Sequence, residues 1–336
     1  MSKKKLKIGL VGTGHLGKIH LKCILASDKY ELVGFFDSNS EVQQTISEDF
    51  NVRAFNDVSA LINLVDVLDI VTPTPFHYEL AKQALQLGKH LFIEKPVTST
   101  PDEARELQAL SKQKNFKIQV GHVERFNPAF LALKNVKINP VFIEAHRLAT
   151  FNPRGTDVSV VLDLMIHDLD LLLSIVKSPV IGIHASGVAL VSHHADICNA
   201  RIEFENGCVA NLTASRISLK QMRKLRIFQP DAYLSLDFLE KDAQVIRLHD
   251  EANLTEERRN ELMPLDTAKG KKFIELDSPK IEPTNAIQME LESLATAIWN
   301  DSDPIVDIED GMAALELAHR IHDEVEKSSA KVQVTR

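Results

Sequence analysis

Apolar runs and amphipathic stretches alternate from Leu6 to about residue 120. LKIGLVG, YELVGFFD, VLDIVTP, KHLFIEKP and KIQVGHV are short, continuous apolar runs, which reads as strands buried on both faces. Between them, HLGKIHLKCILAS, HYELAKQALQLGK and DEARELQALSKQK carry apolar residues at helical spacing. Strands alternating with helices in this way predict a parallel, doubly wound sheet.

The pattern changes near Glu124. From Lys177 onward VIGIHASGVALVS, CNARIEFENGCVANLTASRIS and KLRIFQPDAYLSLDF follow one another with turn signals between them. Asn206-Gly207, set between two alternating runs, is a strong hairpin signal. The expected fold class is therefore α/β. A doubly wound parallel sheet occupies residues 1–122. An α+β domain with a large, open, mainly antiparallel sheet occupies 123–336. The charged stretch from Asp250 to Lys272 is expected to be a loop or flap. Two helices, 285–300 and 308–327, close the chain and are expected to pack back on the first domain.

One stretch breaks the pattern. VVLDLMIHDLDLLL, from Val160 to Leu173, is apolar at ten of fourteen positions yet contains Asp163, His167, Asp168 and Asp170. At α-helical spacing Asp163, His167 and Asp170 form one stripe, and Asp168 points elsewhere. A helix apolar on nearly every side is normally buried. A buried charge is costly unless it is paired or used. The stripe is either satisfied by hydrogen bonds at a packed interface or carries chemistry.

Composition narrows the class. At 336 residues the chain fits two domains, and 26% charged with 44% hydrophobic residues describes a globular protein. The net charge of −8 argues against nucleic acid as the main partner. No apolar run is long enough for a signal peptide or a membrane span. Cys23, Cys198 and Cys208 are scattered and no Cys-x-x-Cys occurs, so neither a disulfide framework nor a thiolate metal site is expected. These features predict a cytoplasmic protein with no membrane or metal partner.

Three loops carry candidate chemistry. In GLVGTGHLG, Gly12, Gly14 and Gly17 form G-x-G-x-x-G between a strand and a helix, the context of a dinucleotide-binding fingerprint. Gly12 permits the tight turn, Gly14 lets backbone approach a pyrophosphate, and Gly17 allows close helix–strand packing. Thr13, His15 and Leu16 complete the loop. Asp37 ends the second strand, twenty positions past Gly17, where a carboxylate can hold the ribose hydroxyls. It would repel a 2′-phosphate, and DSNS offers no arginine to receive one, which favours NAD over NADP. The second loop, Thr72-Pro73-Thr74 with His77, follows a strand near the sheet's switch point, where ligands bind. Its plain alternative is a proline-rich connection. The third is Glu94-Lys95-Pro96, opening onto the same crevice. A lysine beside a positive nicotinamide ring suits contact with a substrate oxygen.

Together these residues and Asp163-x-x-x-His167 resemble the Gfo/Idh/MocA oxidoreductase family, over nearly the whole chain. The resemblance implies an N-terminal Rossmann domain and a C-terminal domain whose open sheet mediates homodimers or homotetramers. It implies oxidation of a sugar or cyclitol hydroxyl with NAD(P). Lys95 would touch the reacting oxygen, His167 would be the acid/base with Asp163 orienting it, and Glu94 would reach the nicotinamide ribose. The stripe on the Val160 helix would face the nicotinamide. DVSVVLD departs from the glycines that many members carry before this helix.

Further basic and polar residues read as substrate contacts: Arg125 and Asn127 in GHVERFNPAF, Arg147 and Arg154 before the Val160 helix, and Arg216, Lys220, Arg223, Lys224 and Arg226. Guanidinium groups match phosphate in a bidentate fork, so an anionic substrate is expected. Exposed strand residues give the same pattern. QVGHVERFNPAF with RGTDVSVVLDLMIHDLD is most similar to the UDP-N-acetylglucosamine 3-dehydrogenase-like members. That implies oxidation of the 3-hydroxyl of a nucleotide-linked N-acetylhexosamine, with an aminotransferase consuming the ketone. The alternatives are a free-sugar or inositol dehydrogenase, an NAD-dependent glycosidase, and a non-catalytic NAD-binding regulator.

Overall fold

A computed structural model describes residues 3–152 and 158–333. The chain divides into two compact units. One comprises Met1–Phe126 and Asn285–Glu316, and the other Asn127–Thr284 and Leu317–Arg336.

The first unit is built on five strands: β1 (Leu6–Val11), β2 (Tyr30–Phe36), β3 (Val67–Ile70), β4 (His90–Glu94) and β5 (Ile118–Gly121). All pair in parallel, in the order β2-β1-β3-β4-β5. The order reverses direction at β1, so the switch point lies between β1 and β3. Every residue of β3 and β5 is buried, as expected for strands covered on both faces. Ile8, Ile24, Tyr30, Val67 and Phe92 pack against Leu291, Leu294 and Ala295 of the Ala286–Asn300 helix, and the Tyr30 hydroxyl donates to the Leu291 carbonyl at 2.6 Å. Each large apolar side chain buried here contributes about 1.5–3 kcal/mol.

The second unit carries nine further strands: β6 (Phe142–Leu148), β7 (Val180–Val188), β8 (Ile197–Phe204), β9 (Val209–Ser215), β10 (Met222–Gln229), β11 (Ala232–Asp237), β12 (Asp242–Asp250), β13 (Met263–Thr267) and β14 (Gly270–Asp277). Their order is β13-β14-β12-β11-β10-β6-β9-β8-β7. Neighbours pair antiparallel except β6 with β9. Burial alternates along β6 and β11, the signature of a sheet covered on one face. Gly207 takes up φ +85° in the β8–β9 connection, where the Asn-Gly pair forecast a hairpin.

The stretch from Asp250 to Lys272 is not a loop. It holds a helix, Glu256–Glu261, strand β13 and the start of β14. All of β13 is exposed, and among the described residues β13 pairs only with β14. At that edge position hydrogen bonding to β14 rather than burial holds the strand.

Candidate active site

The carboxyl ends of β1 to β4 bring the three loops to one edge of the first sheet. Gly12 sits at φ +91°, and a Cβ there would lie 2.6 Å from the Val71 carbonyl oxygen. A Cβ on Gly17 would stand 2.1 Å from the Gly12 carbonyl oxygen, so Gly17 packs against the turn itself rather than the strand. Around Gly14 the space where a side chain would project is open to 4 Å, and no side chain caps the His15–Ala26 helix. A bare backbone at the start of a twelve-residue helix is a fit for a pyrophosphate. His15 is exposed and Leu16 half-buried.

Asp37 is already engaged. Its Oδ2 accepts from the Thr13 N–H at 2.8 Å and the Thr13 hydroxyl at 2.9 Å, and Oδ1 accepts from Asn39 N–H at 3.0 Å. The carboxylate therefore ties the end of β2 to the glycine loop. Thr72 and Thr74 are half-buried and Pro73 is exposed at the start of a short turn, Thr74–Phe76. His77 differs from expectation. It is buried, with Nδ1 2.9 Å from the Pro96 carbonyl and Nε2 2.8 Å from the Thr72 carbonyl. Burial holds its pKa down, against the pull of the two carbonyls. His77 braces the Thr72 and Lys95-Pro96 loops against each other instead of facing a ligand.

Lys95 is half-buried, joined to Pro96 by a cis peptide, and its N–H donates to Glu94 Oε2 at 3.1 Å. Glu94 is buried, and its Oε1 lies 3.1 Å from Nε2 of His20. The His20 Nδ1 lies 3.0 Å from Asp69 Oδ2. Sequence reasoning passed over His20, Asp69 and Glu290. The signal for Asp69 was present: a carboxylate in the middle of VLDIV, a strand otherwise apolar. His20, Glu94 and Glu290 bring ligand-type atoms within 4.8 Å of one another.

In the second unit the Val160 stretch is not a regular α-helix. Val161–Met165 forms a π-helical turn that runs into an α-helix at Ile166–Ile175. The wider turn changes the facing of Asp163 relative to the α-helical stripe, and such turns recur at functional sites. Asp163 and His167 are both half-buried. Arg216, just past β9, places Nη2 3.8 Å from Asp163 Oδ2 and donates to the Val158 carbonyl at 2.7 Å. Asp170 is fully buried.

The expected substrate contacts need correction. Arg147 is buried and paired with Asp168, so it serves the interior of its own unit. Asn127 is buried too. Its Oδ1 accepts from Ala129 N–H at 3.0 Å, capping the Pro128–Leu131 turn, and its Nδ2 donates to the Phe238 carbonyl at 3.1 Å. Arg125 pairs with Asp310 at 3.6 Å. Lys224 pairs with Asp237 and Arg226 with Glu144, while Lys220 is exposed. Arg154 lies outside the described residues. No described helix is long and apolar enough to cross a membrane.

Comparison with known proteins agrees with this architecture. The model for the oxidoreductase family with an NAD-binding Rossmann fold matches residues 6–122, and that for the Gfo/Idh/MocA C-terminal domain matches 143–232. UDP-N-acetylglucosamine 3-dehydrogenase from Acidithiobacillus ferrooxidans is 40% identical over 235 residues, covering 70% of this chain and 74% of that protein. Its solved structure superposes with a TM-score of 0.86 at 33% identity, over 97% of this chain and 99% of the other. D-glucoside 3-dehydrogenase from Escherichia coli is 32% identical over 111 residues, 32% of each chain. A Rossmann unit with a bare glycine loop, joined to this second sheet and matched along both units, makes the chain a dehydrogenase of the Gfo/Idh/MocA oxidoreductase family.

Proposed function

We propose that the chain is an NAD-dependent dehydrogenase that oxidises the 3-hydroxyl of a nucleotide-linked N-acetylhexosamine such as UDP-N-acetylglucosamine. The carrying observation is the 40% identity to a UDP-N-acetylglucosamine 3-dehydrogenase across 70% of the chain. NAD, when bound, accepts a hydride from the carbinol carbon. Gly12, Thr13, Gly14, His15, Leu16 and Gly17 hold its pyrophosphate, and Asp37, with no arginine in the DSNS stretch it opens, selects NAD over NADP. Thr72, Pro73, Thr74 and Glu94 shape the nicotinamide end, with His77 supporting them. His167 takes the hydroxyl proton, because imidazole is the side chain suited to proton transfer near neutrality. Asp163 orients it, and Lys95 contacts the same oxygen. The substrate's anionic part falls to Arg154, Lys220 and Arg223.

A second reading, a free-sugar or cyclitol dehydrogenase, is favoured by the internal pairing of Arg147 and Arg125. The deciding experiment follows nicotinamide reduction with NAD⁺ and UDP-N-acetylglucosamine, an aminotransferase and its amino donor removing the ketone. Turnover with this substrate and not with free N-acetylglucosamine supports the first reading. Turnover with free sugars alone supports the second. The same reading includes a cytoplasmic location and self-association through the second sheet, where Ile181, Val188 and Leu276 are exposed. Gel filtration tests the latter.

A further inference from the structure

Beneath the Lys95 loop the first unit holds four ionisable side chains from four elements. They are His20 of the His15–Ala26 helix, Asp69 of β3, Glu94 of β4 and Glu290 of the Ala286–Asn300 helix. Three are fully buried, and Glu94 is 7% exposed. Both ring nitrogens of His20 face carboxylates, Asp69 at 3.0 Å and Glu94 at 3.1 Å. A neutral imidazole has one N–H to donate, so accepting carboxylates on both ring nitrogens call for the imidazolium. Burial opposes that charge, but Asp69 and Glu94 outweigh it and hold the His20 pKa well above its ordinary value.

Glu290 is the unexplained member. Its carboxyl lies within 4.8 Å of His20 and Glu94, yet among the described residues neither of its oxygens has a hydrogen-bond partner. The imidazolium offsets one of the two carboxylates, Asp69 or Glu94. A third carboxylate, ionised and without a donor, would cost several kcal/mol. A proton on Glu290 removes that cost. Burial first, and then the Glu94 charge, push its pKa well above the ordinary carboxyl range. A Cβ on Gly121 would lie 2.7 Å from Glu94 Oε1, so Glu94 sits against bare backbone on that side.

We propose that Glu290 is a positioning residue for the Glu94–Lys95 turn. As an uncharged carboxyl it stands beside the His20–Glu94 pair and confines the Glu94 carboxylate between the Lys95 N–H and Gly121. The functional consequence rests on the reading of Lys95 and Glu94 as cofactor-side and catalytic groups. A divalent cation is the competing way to neutralise such a group. An imidazolium at His20 disfavours it, because neither ring nitrogen then keeps a lone pair for a metal. The other ionisable groups on elements packed against the Glu290 helix are His15, Lys18, Lys22 and Cys23 of the His15–Ala26 helix, Tyr30 of β2, His90 of β4, and Glu124 and Arg125, the last paired with Asp310.

The test uses the full chain with Glu290→Gln and Glu290→Ala. Thermal melts against pH read the charge without any substrate. Unfolded Glu290 loses its proton above pH ~4.3, whereas folded Glu290 keeps it. The stability that the carboxyl form provides is thus lost as pH rises through the folded pKa. The wild type should melt together with Glu290→Gln near pH 5 and fall progressively below it toward pH 9. A Glu290→Gln variant that is instead increasingly less stable than wild type as pH rises would mean an ionised Glu290 and overturn the proposal. So would one equivalent of divalent metal in purified wild type. NADH titration then reads positioning. Glu290→Gln should bind within about twofold of wild type. Glu290→Ala should bind weaker and, on a turned-over sugar, lose about 10–100-fold in kcat with little change in substrate KM, the scale of a misplaced catalytic group. Equal damage in both variants, or none in Glu290→Ala, refutes positioning. If Glu290→Ala does not fold, Glu290→Leu fills the same space without a polar group, and unchanged NADH binding and kcat there refute it equally. A wild type that binds NADH but ignores UDP-N-acetylglucosamine sinks the substrate reading alone, since melts and NADH titration still decide Glu290.

Discussion

Arg147 grips Asp168 with two prongs, Nε to Oδ2 at 2.9 Å and Nη2 to Oδ1 at 2.8 Å, and both side chains are buried. The pair explains one of the acids in the apolar Val160 stretch. Asp168 is there to meet a guanidinium arriving on β6. Removing one partner of such a pair strands the other charge. Arg147→Ala should therefore destabilise the protein by about 3–5 kcal/mol in urea unfolding, with substrate KM unchanged in the folded fraction. A stable variant with a raised KM would restore Arg147 to the substrate.

Gly17 leaves no room for any side chain. Its Cβ would meet a backbone oxygen, which no rotamer change relieves. Gly17→Ala should cost at least the ~1–3 kcal/mol of an overpacked site and abolish the NADH fluorescence titration. Gly14→Ala, placed where the protein leaves open space, should fold normally and weaken NADH binding alone.

Lys95→Ala and His167→Ala should each lower kcat by about 10²–10⁴-fold, the range for a positioned proton-transfer group. NADH binding should persist in both. If the two act on one oxygen, the double variant should lose little more than the worse single one. Steady-state kinetics on the three variants would show it, and multiplicative losses would separate their roles.

Asp37→Ser removes the anchor of Thr13 and, on the proposed reading, the charge that selects against a 2′-phosphate. The NADP-to-NAD ratio of kcat/KM should rise by about tenfold or more, the factor set by ~1.4 kcal/mol of relieved repulsion. An unchanged ratio would place cofactor choice elsewhere.

Cys23, Cys198 and Cys208 are all buried. Burial pushes each thiol up, that of Cys198 to about 12. The thiolate is the reactive form, so a thiol reagent at pH 8 should leave the native protein unlabelled and modify all three once it unfolds. Mass spectrometry reads the difference directly.

The parallel sheet, the glycine loop and the Asn206-Gly207 hairpin were legible because each depends on rules that act over a few neighbouring residues. Strand β13 was not, since its five residues lie inside a highly charged stretch and bury no face. The π-helical turn at Val161–Met165 escaped for a related reason. Its extra residue per turn is invisible to a pattern read at 3.6 residues, and it altered the facing of the one stripe on which the helix had been interpreted.

The sequence by itself determined the two kinds of sheet, the cofactor loop and the family, through local periodicity and the short motifs that chemistry requires. Only the tertiary structure decided where each charge ends. It set Arg147 on Asp168, Asn127 on the Phe238 carbonyl, and His77 between two loops. It also brought Glu290 from near the end of the chain to His20 near the start. A carboxylate or guanidinium is the same residue in the sequence whether it meets solvent, a partner or a ligand. The partner is chosen by the path of the whole chain, because burial makes an unmatched charge too costly to keep.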